Sequence, residues 1–356
     1  MIVRNECAII AQTLAHVLDK FPVTSWVIHD TGSDDGTPAI IEQFFAAREL
    51  PGRLVCRDWV DFGTNRQLAF EDAAGMADFV LFFDADDRVE GHVPPLPQHC
   101  DSITLNMKRG ATVYPAKLIV RNDGRFRWRG VIHEGLYLTA GEESHCHLAG
   151  DYVVASRSDG ARSRDASTYY RDARTLVEAI GSLAEADRDL LPRYTFYCAN
   201  SWRDARAPRE AIAWYRGRIE LGGWVDEVYL SWLGLGIELE KVGEQGEAML
   251  AYLSGQDVCP DRAECLYHLA RLRRHRGEFE TALIFARAGR NIPMPSVSRL
   301  FVWADVYEYW MDFEYLSCLK ALGRLDAESG GAADALRRSP APRDLLDMLG
   351  IDAVAN

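Results

Sequence analysis

The apolar run Phe79-Val80-Leu81-Phe82-Phe83 stops abruptly at Asp84-Ala85-Asp86-Asp87. Five apolar residues are too few for a helix of their own. A run that ends in acid is the pattern of a buried parallel strand whose C-terminal end opens into a site. Three carboxylates this close repel one another unless a cation sits among them, and hard divalent ions take carboxylate oxygens by preference. A strand followed by a solvated acidic turn is the plainer alternative, and the residues upstream bear on the choice.

Upstream, strands and helices alternate. Met1-Ile2-Val3 is the stub of a strand with Arg4-Asn5-Glu6 at its C-terminal end, and an amphipathic helix is expected over 8–18. A second strand over 25–29 runs into Asp30-Thr31-Gly32-Ser33-Asp34-Asp35-Gly36, a tight polar loop, with Thr37 expected to cap a helix over 39–47 and Pro38 in its first turn. A short strand over 54–56 and a helix over 65–74 precede the acidic strand. This order predicts a mostly parallel, Rossmann-like α/β sheet with right-handed crossovers, whose ligands gather at the C-terminal strand ends. No Gly-x-Gly-x-x-Gly and no Gly-Lys-Ser/Thr is present, so neither a dinucleotide fingerprint nor a P-loop is supported.

A chain of 356 residues exceeds what one core usually fills, so two domains are expected. The net charge of −13 speaks against a nucleic-acid partner, because most of this surface would repel a phosphate backbone. No apolar stretch reaches the length of a membrane span, and no basic-then-apolar leader precedes the first strand. Eight scattered cysteines without a Cys-x-x-Cys pair suggest reduced, mostly buried thiols in a cytoplasmic protein, not a disulfide framework.

From Tyr169 the pattern turns wholly helical, and it repeats. Gly243 to Gly277 spans 34 positions, as does Ala248 to Ala282, with small residues where paired helices cross. That period, with a turn glycine and an aromatic, is the TPR signature. Helix pairs are expected at 194–204 with 209–220, 228–241 with 246–254 and 263–274 with 278–288, and a degenerate fourth near 300–321. The expected domains are 1–155 for the sheet, 156–168 as a linker, 169–326 for the repeats and 327–356 as a loosely attached tail with one short helix over 343–349. A repeat stack offers a concave surface for a peptide, a partner or a homodimer mate. Trp202, Trp214, Tyr215, Trp224, Tyr229 and Trp232 either line such a groove or pack helix on helix.

Taken in order, Met1-Ile2-Val3-Arg4-Asn5-Glu6, Asp30-Thr31-Gly32-Ser33-Asp34-Asp35-Gly36-Thr37 and Asp84-Ala85-Asp86-Asp87 resemble the signatures of family-2 glycosyltransferases with the GT-A fold. Trp128-Arg129-Gly130-Val131-Ile132-His133-Glu134-Gly135 resembles the acceptor-side motif of the branch with a C-terminal TPR region, and 194–199 and 222–224 resemble that region itself. The resemblance implies a donor site for a nucleotide sugar made of Arg4, Asn5, Glu6, Asp30, Gly32, Ser33, Asp35, Asn65, Arg66, Asp84, Asp86 and Arg129. It implies Mg²⁺ or Mn²⁺ on Asp86 and Asp84, and a base in Glu134 or His133. Metal-assisted, inverting transfer to a peptide or natural-product acceptor follows, since that branch includes bacteriocin S-glycosyltransferases. The chain is also similar in build to N-acyltransferases of teicoplanin-type glycopeptide antibiotic biosynthesis, which implies the alternative of an acyl-CoA donor and an aminosugar acceptor. Relatives of this kind carry apolar residues before the Met-Ile-Val stub, which implies a truncated first strand or a start further upstream.

Four further groups bear on the site. His29 places an imidazole beside the loop that begins at Asp30, either titrating there or tucked into the core. On a strand, His145 and His147 face one way and Cys146 the other, so only the histidines could share a metal, with His133 joining them. Arg125, Arg127 and Arg129 alternate with Phe126 and Trp128, as phosphate holders or as a solvated strand face, and Arg162 and Arg164 lie in a polar loop able to close over a diphosphate. Strands are expected over 102–107 and 118–120, joined at Lys108-Arg109-Gly110 as an antiparallel extension of the sheet.

Overall fold

The computed structural model describes residues 1–109, 112–156, 167–295 and 299–351, and the chain divides into two compact units, Met1–Tyr197 and Cys198–Asn356.

In the first unit, β1 (Ile2–Val3), β2 (Trp26–Asp30) and β3 (Gly52–Cys56) form a parallel sheet in that order. The connections are α1 (Ile10–Lys20), α2 (Thr37–Ala46) and α3 (Phe62–Asp72). Val3, Ile10, Leu14, Ile28, Ile41 and Phe45 form the core of this layer. Each large apolar side chain contributes about 1.5–3 kcal/mol on leaving water. Thr37 is the first residue of α2 and not its cap: Gly36, at φ 85°, takes that place because its backbone is left-handed.

The fourth strand, β4 (Phe79–Leu81), takes a different partner from the one its place in the alternation implies. It pairs antiparallel with β7 (Thr112–Arg121), Phe79 opposite Arg121. With β5 (Asp87–Gly91), β6 (Ser102–Arg109) and β11 (Tyr152–Ser156) it makes a mixed sheet in the order β4-β7-β6-β11-β5, with β10 (His145–His147) also on β6. Alternation along the chain identifies strands, but non-local pairing chooses their neighbours. The β6–β7 hairpin is antiparallel as expected, yet its ladder runs to Arg109 opposite Thr112, so Lys108 and Arg109 belong to the strand; Gly110 lies outside the described residues. Phe83, Val89, Ile103, Leu105, Ile119 and Val154 fill the core here. A separate ribbon, β8 (Phe126–Arg129) with β9 (Gly135–Leu138), completes the unit's strands among the described residues.

The first unit also takes in α4 (Thr168–Gly181), a 3₁₀ turn at Glu185–Leu190, and the start of α5 (Leu191–Asp204). The division therefore falls later than the linker expected over 156–168. A helical period marks a helix without saying what it packs on, and side chains of this stretch bond to the 129–133 segment. Arg162 and Arg164 lie outside the described residues.

The second unit is a run of helical hairpins: α6 (Pro208–Leu221), α7 (Val225–Lys241), α8 (Gln245–Val258), α9 (Glu264–His275) and α10 (Phe279–Arg290), then a π turn at Val306–Trp310 leading into α11 (Met311–Ala321). Gly243 (φ 87°) and Gly277 (φ 75°) close α7 and α9 in the left-handed conformation that ends helices. Ala211, Ala248 and Ala282 are fully buried, and a Cβ on Gly236 would sit 2.3 Å from the Tyr252 ring, so close helix approach explains the small residues. Of the aromatics, Tyr215 and Tyr229 are buried packing residues, while Trp224 stays half-exposed.

Two expectations change. The tail is docked, and after α12 (Leu325–Glu328) it holds two short helices, α13 (Ala332–Arg338) and α14 (Arg343–Leu349), in place of one. Leu336, Leu345, Leu346 and Leu349 are buried and Lys320 Nζ donates to the Met348 carbonyl at 2.9 Å. Turn residues mark where the chain bends, not whether the next helix finds an apolar seat. Cys100 and Cys146 are joined as a disulfide, with Cα atoms 5.9 Å apart, where only thiols were expected. Cys198, Cys259, Cys265 and Cys318 are buried and lie outside any disulfide. No helix among the described residues is long and apolar enough to cross a membrane.

Candidate active site

After β4 the chain alternates: Asp84 and Asp86 are partly exposed, while Ala85 and Asp87 are buried. Thr13 Oγ1 on α1 donates to the Ala85 carbonyl at 2.6 Å, fixing the turn from beneath. The third carboxylate is therefore unlike the other two. Burial, with repulsion from Asp84 and Asp86, pushes Asp87 up to about 8, so it is mostly protonated at neutral pH. The open side of the turn is left to Asp84 and Asp86. Two carboxylates at a strand end are a donor set that suits a hard, oxygen-seeking cation.

Arg66, on the second turn of α3, ties this turn to the 128–134 segment. Its Nη2 lies 2.7 Å from Asp84 Oδ1 and its Nε 2.5 Å from Glu134 Oε1. Burial opposes the guanidinium charge, but Asp84 and Glu134 outweigh it and hold the group protonated. The guanidinium also lies over the Trp128 ring, 5.3 Å from its centroid. Arg66 and Glu134 are nearly closed off, at 12% and 11% exposed, whereas Asp84 is 43% exposed and faces water.

The 128–134 segment is held from both sides. Phe62 and Gly63, at the start of α3, donate their backbone N–H groups to the carbonyls of Val131 and Gly130, each at 3.1 Å. These are N–H groups that have no partner within the helix. A Cβ on Gly63 would lie 2.3 Å from the Gly130 oxygen, so this contact needs glycine. On the other side Tyr194 Oη accepts from Val131 N–H at 3.0 Å and Arg193 Nε donates to the His133 carbonyl at 2.7 Å. His133 sits at φ 53° with its ring stacked on Tyr197 at 4.0 Å. Of the two candidate bases, Glu134 is thus the one tied to the acidic turn. Arg129 is turned onto Asp187 and Asp189, at 2.9 and 2.6 Å.

The expected donor loops are laced to one another. Asn5 N–H donates to Ser33 Oγ, Asp34 N–H to Asn5 Oδ1 and Glu6 N–H to Thr37 Oγ1, each at 2.9 Å. Asp35 accepts from Cys7 N–H at 3.0 Å and Thr37 N–H at 3.1 Å. Burial alone would raise the Asp35 carboxyl, but these bonds and the Thr37 hydroxyl lower it to about 2. Asp30 is buried and accepts from Gly32 N–H at 3.2 Å and Ser33 N–H at 2.9 Å. Arg4 is exposed beside them. Asn65 is fully buried, accepting from Val60 N–H at 2.9 Å and donating to the Asp58 carbonyl at 3.1 Å, which pins the loop that exposes Trp59 and Val60.

Two titratable clusters lie elsewhere. His29 is buried and points to Asp72 on α3 at 2.9 Å; burial lowers its pKa, and Asp72 only partly offsets that. His145 and His147 bond Ser102 and Thr104 through Nδ1, at 2.8 and 3.0 Å, and among the described residues they form no three-ligand cluster with His133, which stacks on Tyr197. The bridging role of Arg66 and the clamp by Arg193 and Tyr194 had no local signal. Their partners are 60 or more positions away, save Asp84 at 18.

Residues 1–142, all within the first unit, match the family model Glycosyl transferase family 2, which supports reading the chain as a transferase. Over 335 residues the chain is 25% identical to a TPR repeat-containing protein of Synechococcus elongatus, covering 88% of this chain and 70% of that one. Among solved structures, mannosyltransferase PcManGT of Pyrobaculum calidifontis, in complex with GDP-Man and Mn²⁺, is 13% identical over 70% of this chain and 83% of its own, with a TM-score of 0.36. MamA is 12% identical over 51% of this chain and 88% of its own, with a TM-score of 0.37.

Proposed function

We propose that the first unit transfers a sugar, with inversion by one direct displacement, from a nucleoside-diphosphate sugar to a peptide or natural-product hydroxyl, thiol or amine.

 The reading rests on one observation: β4 ends in two outward carboxylates, Asp84 and Asp86, and Arg66 ties the first of them to Glu134. A Mg²⁺ or Mn²⁺ ion held by Asp86 and Asp84 would supply a Lewis acid for the charge that builds on the departing diphosphate. Arg66 orients Asp84 and Glu134 relative to each other. Glu134 is assigned as the base that takes the proton from the attacking group, since His133 is engaged with Tyr197. The 30–37 loop, braced by Asn5 and Glu6, is assigned to the nucleoside end, with Asp30, Gly32, Ser33 and Asp35 shaping it. In this reading the helical unit selects the acceptor, with a peptide as the favoured class.

The test is a thermal-shift panel of UDP-, GDP- and TDP-sugars with Mn²⁺ or Mg²⁺, run beside acyl-CoAs without metal. A metal-dependent shift with one sugar nucleotide is the expected result. A shift with acyl-CoA that ignores metal would replace glycosyl transfer with acyl transfer on the same scaffold.

A further inference from the structure

At the far end of the mixed sheet from the acidic turn, three ligand-type side chains converge. One imidazole nitrogen of His99 and the Sγ atoms of Cys100 and Cys146 all lie within 4.8 Å of one another. Their place is set by the fold: Phe79, at the start of β4, pairs with Arg121, and Arg121 donates to the carbonyls of Gln98 and Cys100 at 2.8 and 3.4 Å. Cys146 comes from β10, opposite Ile103 on β6, on the face away from His145 and His147.

A disulfide accounts for the two cysteines but not for the imidazole. His99 Nε2 lies 3.5 Å from Cys146 Sγ. For a tetrahedral zinc ion with Zn–S of about 2.3 Å and Zn–N of about 2.05 Å, the sulfur–nitrogen edge is about 3.6 Å. The Cα separation of 5.9 Å suits a disulfide and equally two thiolates on one ion. The backbone that carries two of the ligands is already fixed, since Ser144 Oγ donates to the His99 carbonyl at 3.4 Å and Asp101 accepts from Ser144 N–H at 2.9 Å.

We propose that the reduced chain binds one thiophilic divalent cation, Zn²⁺ foremost, through His99, Cys100 and Cys146, with water in the fourth position. The site is separate from Asp84 and Asp86 in place and in chemistry: thiolate and imidazole select soft or borderline ions, whereas the carboxylates select hard ones. The disulfide is the oxidised form of the same clasp. In the test a phosphine reduces it, supplying two electrons and taking an oxygen from water to become its oxide, while the sulfurs gain two protons. Binding the cation then releases both protons.

The experiment titrates Co²⁺ into the full-length chain, phosphine-reduced and otherwise metal-free, and follows the sulfur-to-cobalt charge-transfer absorption, which carboxylate-bound cobalt does not give. One equivalent is expected to saturate the band, Zn²⁺ to displace it, and the unreduced chain to lack it. C146S should abolish the band. H99A, a change at an exposed residue that leaves both thiols in place, should weaken binding about 10-fold or more. No band in the reduced chain, or a band unchanged in H99A, overturns the proposal. Because the readout is thiolate absorption and not turnover, failure here leaves the glycosyl-transfer reading intact, and failure of that reading leaves this site intact.

Discussion

Arg66 in the first unit and Arg262 in the second are both guanidiniums held by glutamate, but they are closed off to different degrees. Arg262 and Glu264 are each 0% exposed. Arg262 also donates to the carbonyls of Leu300 and Phe301, at 2.8 and 3.1 Å, while Glu264 accepts from Tyr229 Oη, Tyr307 Oη and Trp303 N–H. Every polar atom of that pair faces protein, which is the condition under which a buried ion pair can persist. Arg66 is nearly closed off as well, but one of its partners, Asp84, is 43% exposed. A ligand can therefore compete for Asp84 without opening the core. Burial of the charge alone does not distinguish the two; access to the partner does.

That contrast makes four predictions, the largest first. Asp86→Ala should lower turnover by about 10³-fold while leaving the urea midpoint unchanged, because a partly exposed strand-end carboxylate adds little to packing. A matching fall in stability would mean that the acidic turn is structural. Glu264→Gln should do the opposite. Leaving Arg262 buried without its counter-charge costs about 3–5 kcal/mol in denaturant unfolding, and nucleotide-sugar binding per folded molecule should not change.

Arg66→Met sits between these cases. Turnover should drop about 10²-fold, yet Mn²⁺ should bind more tightly by calorimetry, because Asp84 loses the cation that now engages it. Weaker Mn²⁺ binding would show that Arg66 organises the acidic turn and does not compete for it. The smallest effect concerns Glu240 in the helical unit. Burial would raise its pKa, but His268, Tyr252 and Arg271 outweigh that and lower it to about 2. A carboxylate depressed in the folded state stabilises fully above its unfolded value near 4.3 and loses that contribution as pH falls toward 2. Glu240→Gln should flatten the loss of stability across this window by about 1–2 kcal/mol, read as unfolding midpoints at successive pH values.

Much of the architecture was legible because it is written locally. The apolar run before Asp84, the Gly32 and Gly36 turn and the 34-residue spacing of Gly243 and Gly277 each act within a few positions of the structure they specify. Partner choice was not legible. The sequence order gave no sign that β4 pairs with β7, that α4 and the start of α5 belong with the first unit, or that Cys146 meets Cys100. The Gly330-Gly331 and Ser339-Pro340 breaks suggested a loose tail, yet Leu336 and Leu346 are buried there. Of the residues expected at the site, Arg66, Asp84 and Glu134 converge in the structure, while Arg129 and His133 are turned to Asp187, Asp189 and Tyr197.

By itself, the chain's order of residues determined which segments are strands and helices, where polar loops follow strand ends, and that helical hairpins repeat in the second half. Those properties depend on periodicity and turn chemistry, which operate over at most a few residues. Only the tertiary structure decided which of three adjacent carboxylates face outward, and that one arginine joins two of the acids at the site. Burial and charge pairing are properties of the space around a side chain, and that space is built from residues tens of positions apart.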